Sequence, residues 1–181
     1  EWNLMHHPLL QNSCVDIDGV LCRDPTPEEN DDGERYREFL TEVEPNIVPN
    51  QQIGHLVTSR LETYRTETEE WLDEHGFQYD RLVMMDLPSK EARQAQGNHA
   101  QHKANVYDST DAPLFIESSQ RQSSEICQRT SRPVFCYGTN EMIRPGRAKR
   151  TYQQSRSYVS RLRENPATFS VKAAKHLFFL T

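Results

Sequence analysis

Two carboxylates one residue apart, Asp16 and Asp18, close a short apolar run just before a glycine, in Cys14-Val15-Asp16-Ile17-Asp18-Gly19-Val20-Leu21. On a strand, residues i and i+2 share a face. Both carboxylates then project from the strand's C-terminal end, where open α/β sheets bind ligands. Two like charges so close are unfavourable unless a cation or a shared proton relieves them. The pattern points to a hard-metal site with one carboxylate free for covalent or acid/base work. Asp and Gly are also turn formers, so a plain turn is the competing reading. The flanking Ser13-Cys14-Val15 and Val20-Leu21-Cys22 favour a strand, and with it the site.

Three further features follow in order. Leu56-Val57-Thr58-Ser59-Arg60 ends an apolar run in a hydroxyl pair and an arginine; Lys103 comes next; Leu114-Phe115-Ile116-Glu117-Ser118-Ser119 ends an apolar run in an acid. Each falls at a predicted strand end or helix start, placed to converge with the aspartates above one edge of a sheet.

The elements that must position them alternate. Strands are predicted over 13–22, 53–58, 79–86, 114–116 and 134–137, and helices over 36–43, 63–75 (stopped by Gly76), 103–107 and 119–129. Residues 23–34, with Asp24, Glu28, Glu29, Asp31 and Asp32, read as an acidic loop, and 87–101 as a polar one. Short apolar strands alternating with helices predict a three-layer α/β/α fold with a central parallel sheet. Right-handed crossovers lay the helices on both faces.

Bulk properties narrow the class. The 181 residues fit one domain with length to spare, and the 35% hydrophobic content is gathered into short runs. No run approaches the roughly 20 apolar residues of a membrane span, and no basic-then-apolar leader is visible. Cys14, Cys22, Cys127 and Cys136 form no C-x-x-C pair, which argues against zinc and for a reducing, cytoplasmic setting. The net charge of -6 hides a division: residues 144–181 carry nine basic groups and one acidic, the rest 12 basic and 26 acidic. The expected organisation is a linker remnant over 1–12, a catalytic domain over 13–143 and a basic extension over 144–181. The extension reads as a solvated tail more than a nucleic-acid arm.

The four ordered features resemble the haloacid dehalogenase-like superfamily of phosphohydrolases over roughly residues 13–140. The resemblance implies a Rossmann-like sheet with minimal or no cap, since only about 30 residues separate the first two motifs. It implies Asp16 as nucleophile on phosphorus, Asp18 as general acid and base, Thr58 as a phosphoryl hydrogen-bond donor and Lys103 as the cation steadying both. Ser59 and Arg60 would contact substrate. Asp16, Asp18 (through its carbonyl) and Glu117 would hold Mg2+, which prefers oxygen ligands. The fourth motif departs from the family, which commonly places two aspartates where this chain has Glu117-Ser118-Ser119. The stretches Glu1 to His7, Cys14 to Thr26 and Phe115 to Ser119 are also similar to the C-terminal part of certain bacterial and phage proteins with an upstream phosphoribosyltransferase-like domain.

The implied activity is a magnesium-dependent phosphomonoester hydrolase working through an aspartyl-phosphate on a small phosphorylated metabolite or nucleotide. The alternative is a catalytically weak phosphate- or nucleotide-binding module that regulates an upstream phosphoribosyltransferase domain. An Asp-x-Asp glycosyltransferase would leave Thr58, Lys103 and Glu117 without roles. Lys90 reads as an exposed helix start, Asp86 as a turn residue, His6 and His7 as packing or linker residues, and His55 as a core histidine.

Overall fold

The computed structural model describes residues 4–87 and 99–146. The chain divides into two compact units, Glu1–Arg144 and Pro145–Thr181; the described part of the first carries the sheet. Lys90 and the basic tail from residue 147 onward lie outside the described residues.

Six strands form one sheet: β1 (Cys14–Val15), β2 (Ile53–Leu61), β3 (Tyr79–Met85), β4 (Phe115–Glu117), β5 (Val134–Cys136) and β6 (Glu141–Ile143). Their order is β3-β2-β1-β4-β5-β6, parallel throughout except for β6, which runs antiparallel to β5. The α-helices among the described residues are α1 (Glu34–Glu42), α2 (Arg65–Glu74), α3 (His99–Asp108) and α4 (Gln120–Thr130).

Strand alternation divides the core into two. Val15, Leu56 and Ile116 pack with Tyr36, Phe39 and Leu40 of α1 and Trp71 and Leu72 of α2. Cys14, Val57 and Phe115 face the other way, onto Ala100, Ala104 and Tyr107 of α3 and Ile126 and Cys127 of α4. This is the period-two pattern of a sheet buried on both faces, and the three-layer α/β/α arrangement follows. The indole N–H of Trp71 donates to the Val43 carbonyl at 2.6 Å, tying α2 to the end of α1.

The chain leaves β1 toward β2 and β3, then returns across β1 to β4 and β5. The order therefore reverses beside β1, the kind of switch point where open α/β sheets bind ligands. Register puts Val15 opposite both Leu56 and Ile116. The residues just past those positions, Asp16 and Glu117, thus emerge side by side.

Several boundaries differ from the sequence reading. β1 is two residues long, because main-chain bonds from Leu21 (2.8 Å) and Cys22 (3.3 Å) back to the Ile17 carbonyl curl the next segment into a turn. Gly19 sits in that turn at φ 77°, and a Cβ there would run into the Ser118 hydroxyl; only glycine meets both demands. β2 continues through Ser59 and Arg60 to Leu61, with an irregularity against β3 between Val57 and Leu61. α3 starts at His99, inside the segment read as loop, so Lys103 sits mid-helix. β6 was not expected. Residues 4–12, read as linker, form two 3-10 turns that bury Leu4, Met5 and Leu10 in the core. Gly54 allows that docking: a Cβ there would lie 2.5 Å from the Gln11 carbonyl oxygen.

Candidate functional site

Three elements far apart in sequence meet at one ammonium group. Lys103 Nζ donates to Asp16 Oδ2 at 2.6 Å, to Glu117 Oε2 at 2.6 Å and to Gln122 Oε1 at 3.2 Å. Alanines at 100 and 104, flanking Lys103 on the buried side of α3, let the helix lie close to the sheet. The group is nearly dry: relative exposure is 2% for Lys103, 4% for Asp16 and 0% for Glu117. At that burial neither carboxylate is tolerable without a partner. Asp16 Oδ1 also accepts from the Ile17 amide at 2.9 Å, and Glu117 Oε1 from the Ser119 amide at 3.0 Å. Ser118 Oγ lies 3.4 Å from both Glu117 Oε1 and the Asp18 carbonyl oxygen.

A second ion pair stands beside the first. Arg60 grips the Asp18 carboxylate through Nη2 to Oδ1 at 2.7 Å and Nε to Oδ1 and Oδ2 at 3.1 and 3.2 Å. The guanidinium is fully buried, contacts Thr68 Oγ1 at 3.5 Å and Cys22 Sγ at 3.4 Å, and lies 5.7 Å from the Trp71 ring centre. The β2 irregularity explains its inward path, since extra residues in one strand re-aim side chains.

An open cleft of about 320 Å³ takes in Asp16, Asp18, Ser59, Lys103 and Glu117, with Asp24 on the acidic loop. Two expected substrate contacts fall elsewhere. Thr58 is fully buried and its hydroxyl accepts from the Arg60 amide at 3.2 Å; it does not line the cleft, and Ser59 does. Arg60 does not line it either, because its charge is spent on Asp18. His6 accepts the Asn50 main-chain N–H and His7 caps the second 3-10 turn by accepting the Leu9 N–H; neither lies in the cleft. His55 is half-buried within β2, and Asp86 is exposed past the end of β3.

Around the cleft, the four carboxyl groups of Asp16, Asp18, Asp24 and Glu117 face Lys103 and the exposed Arg121, while the buried Arg60 pairs with Asp18. Burial pushes the Asp16 carboxyl up to about 8, with Glu117 and Asp18 adding to the rise against the pull of Lys103. Partial burial, then the charges of Asp18 and Glu117, also raise Asp24. An extra positive charge would relieve both. Among the described residues no three His, Cys, Asp or Glu side chains gather into a metal cage, and the Asp18 carboxylate is taken by Arg60. Magnesium needs no such cage, because it keeps waters and takes one or two carboxylates plus substrate phosphate. Asp16 and Glu117, with the Asp18 carbonyl, fit that donor set.

Asp24 and Ser118 were given no site role from sequence, and Gln122 was not named at all. Ser119-Gln120-Arg121-Gln122 has capping-box spacing, and Ser119 does cap α4 by accepting from the Gln122 amide at 3.4 Å. That signal announced a helix start and said nothing of the Gln122 side chain reaching Lys103.

No family model matches this sequence, and no curated protein does. Among solved structures, the chain is similar in fold to a chain of the Pnkp1/Rnl/Hen1 RNA repair complex, with 16% identity and a TM-score of 0.44. The match covers 68% of this chain and 41% of that one, so the chain spans less than half the length of the protein it matches.

Proposed function

We propose that this chain is a magnesium-dependent phosphomonoester hydrolase of the haloacid dehalogenase-like type, working through an aspartyl-phosphate on Asp16. One observation carries the reading: Asp16 and Glu117 meet at the Lys103 ammonium, each at 2.6 Å, at the sheet's switch point with Asp18 alongside. Phosphoryl transfer asks for an in-line nucleophile and positive charge on the equatorial oxygens, and a carboxylate serves as nucleophile through an acyl-phosphate.

In this mechanism an Asp16 oxygen bonds to phosphorus while the ester P–O bond breaks, and the leaving oxygen takes a proton from water, because Asp18 stands as a carboxylate forked onto Arg60. Water then attacks phosphorus, Asp18 accepts its proton, and inorganic phosphate departs from Asp16. Arg60 orients the Asp18 carboxyl. Ser59, in the cleft wall, takes the phosphoryl hydrogen bond expected of Thr58. Magnesium, when bound at Asp16, Glu117 and the Asp18 carbonyl, supplies charge that favours the ionised nucleophile and neutralises phosphoryl oxygens. A small phosphorylated metabolite or nucleotide as substrate, a cytoplasmic setting and an upstream phosphoribosyltransferase-like domain belong to the same reading.

The test is turnover of p-nitrophenyl phosphate and a nucleotide panel, with magnesium and with excess EDTA. Asp16→Asn is expected to lower kcat at least about 1,000-fold, and EDTA to abolish turnover. Turnover that survives Asp16→Asn removes the nucleophile. A binding module without turnover is the second reading, motivated by Glu117-Ser118-Ser119 standing where the family commonly places two aspartates. Calorimetric binding of phosphate or a nucleotide with no product formed would select it.

A further inference from the structure

An ammonium has three N–H donors and no more, and protein acceptors take all three on Lys103: Asp16, Glu117 and Gln122. A phosphoryl oxygen reaching this lysine must therefore displace one of them. The three bonds are unequal. Those to the buried carboxylates are 2.6 Å long and charged on both sides; the bond to Gln122 is 3.2 Å to a neutral amide. Hydrogen bonds between ionised groups are roughly twice as strong as neutral ones, and freeing either buried carboxylate would strand a charge. Gln122 is also the partner free to leave. It sits in the first turn of α4, is half-buried and lines the cleft, so its side chain can swing out without moving the helix.

We propose that the Gln122 side-chain carbonyl is a place-holder: in the unliganded protein it occupies the position on Lys103 that a phosphoryl oxygen takes on binding. The inference rests on the phosphohydrolase or phosphate-binding reading of the cleft and adds a residue outside its motifs. Gln122 keeps the buried ammonium satisfied when no phosphate is present, and each binding event begins by breaking its bond. Gln122 therefore lowers phosphate affinity.

The probe is inorganic phosphate, titrated calorimetrically into the 181-residue chain in the presence of magnesium, for the wild type, Gln122→Ala, Gln122→Met and Gln122→Glu. Thermal melts would establish that each variant is folded. Alanine removes the competing acceptor, and methionine keeps the bulk without it. Both should bind phosphate about five-fold more tightly, the equivalent of one neutral hydrogen bond of about 1 kcal/mol. Glutamate places a charged competitor on the same donor and should weaken phosphate at least about ten-fold. Affinity that is unchanged or weaker in both Gln122→Ala and Gln122→Met overturns the place-holder and makes Gln122 a bystander or a direct phosphate contact. Failure of the wild type to bind phosphate overturns the underlying reading of the cleft instead, and the place-holder with it.

Discussion

Lys103 is the residue on which the site depends. Its ammonium, 2% exposed, is what makes two buried carboxylates tolerable at 2.6 Å each. Removing one partner of such a group typically costs about 3–5 kcal/mol, so Lys103→Met should lose that much in urea unfolding. Adding Glu117→Gln to Lys103→Met should recover part of it, because one stranded charge is gone; a double variant no more stable than the single would mean that the pairs carry little energy. Arg60 plays the same part for Asp18, with the difference that a fork geometry is involved. Lysine keeps the charge but has no planar fork, so Arg60→Lys should let the Asp18 carboxyl wander. General acid–base catalysis is worth about 100- to 10,000-fold. A steady-state assay should therefore find kcat down about ten-fold or more with KM within about three-fold. A loss carried by KM instead would put Arg60 on the substrate. The family resemblance made Arg60 a substrate contact, because sequence does not say where the β2 irregularity points its side chain.

At the scale of elements, the short β1 and the turn after it set the site. Two residues of strand suffice because β2 and β4 flank β1 in register and lock it in the middle of the sheet. The segment read as an acidic loop after the turn is held in place at several points. Arg23 forks onto Glu29 at 2.6 and 2.7 Å, Thr26 and Glu29 exchange hydrogen bonds of 2.8 and 3.3 Å, and the Tyr64 hydroxyl reaches Asp32 Oδ1 at 2.8 Å. The Arg23 hydrogen bonds hold the half-buried Glu29 carboxyl down at about 2, against an ordinary 4.5. A depressed carboxylate pKa means that the clamp's contribution is present above about 4.5 and is lost as pH falls through about 2. A carboxyl-carbon NMR titration should show Glu29 still ionised at pH 3.5, where unpaired surface glutamates are mostly protonated. A midpoint near 4.5 would mean that the loop is untethered in solution.

Across the whole molecule, the two faces of the sheet are filled by different sets of side chains, and the cysteines belong to that filling. Cys14, Cys22, Cys127 and Cys136 are all buried thiols outside any disulfide, and burial pushes the Cys14 thiol up to about 11. The thiolate is the reactive form, so Ellman's reagent at pH 8 should find almost no fast-reacting thiol in the native protein and four after denaturation. A fast-reacting cysteine in the native state would mark a part of the core that opens. No helix among the described residues is long and apolar enough to cross a membrane, as the short apolar runs foretold. What the sequence by itself determined is the alternation of apolar strands with helices, because period-two and helical patterns are local. It determined too the candidate residues Asp16, Asp18, Lys103 and Glu117, whose types announce their chemistry. Tertiary structure alone decided which atoms meet. It turned Arg60 onto Asp18, buried Thr58 and left Ser59 in the cleft, drew residues 4–12 into the core, and brought Gln122 to Lys103. Each of those depends on a bulge, a register or a helix docking. Their energies come from contacts between segments distant in the chain, and such contacts leave no mark on local composition.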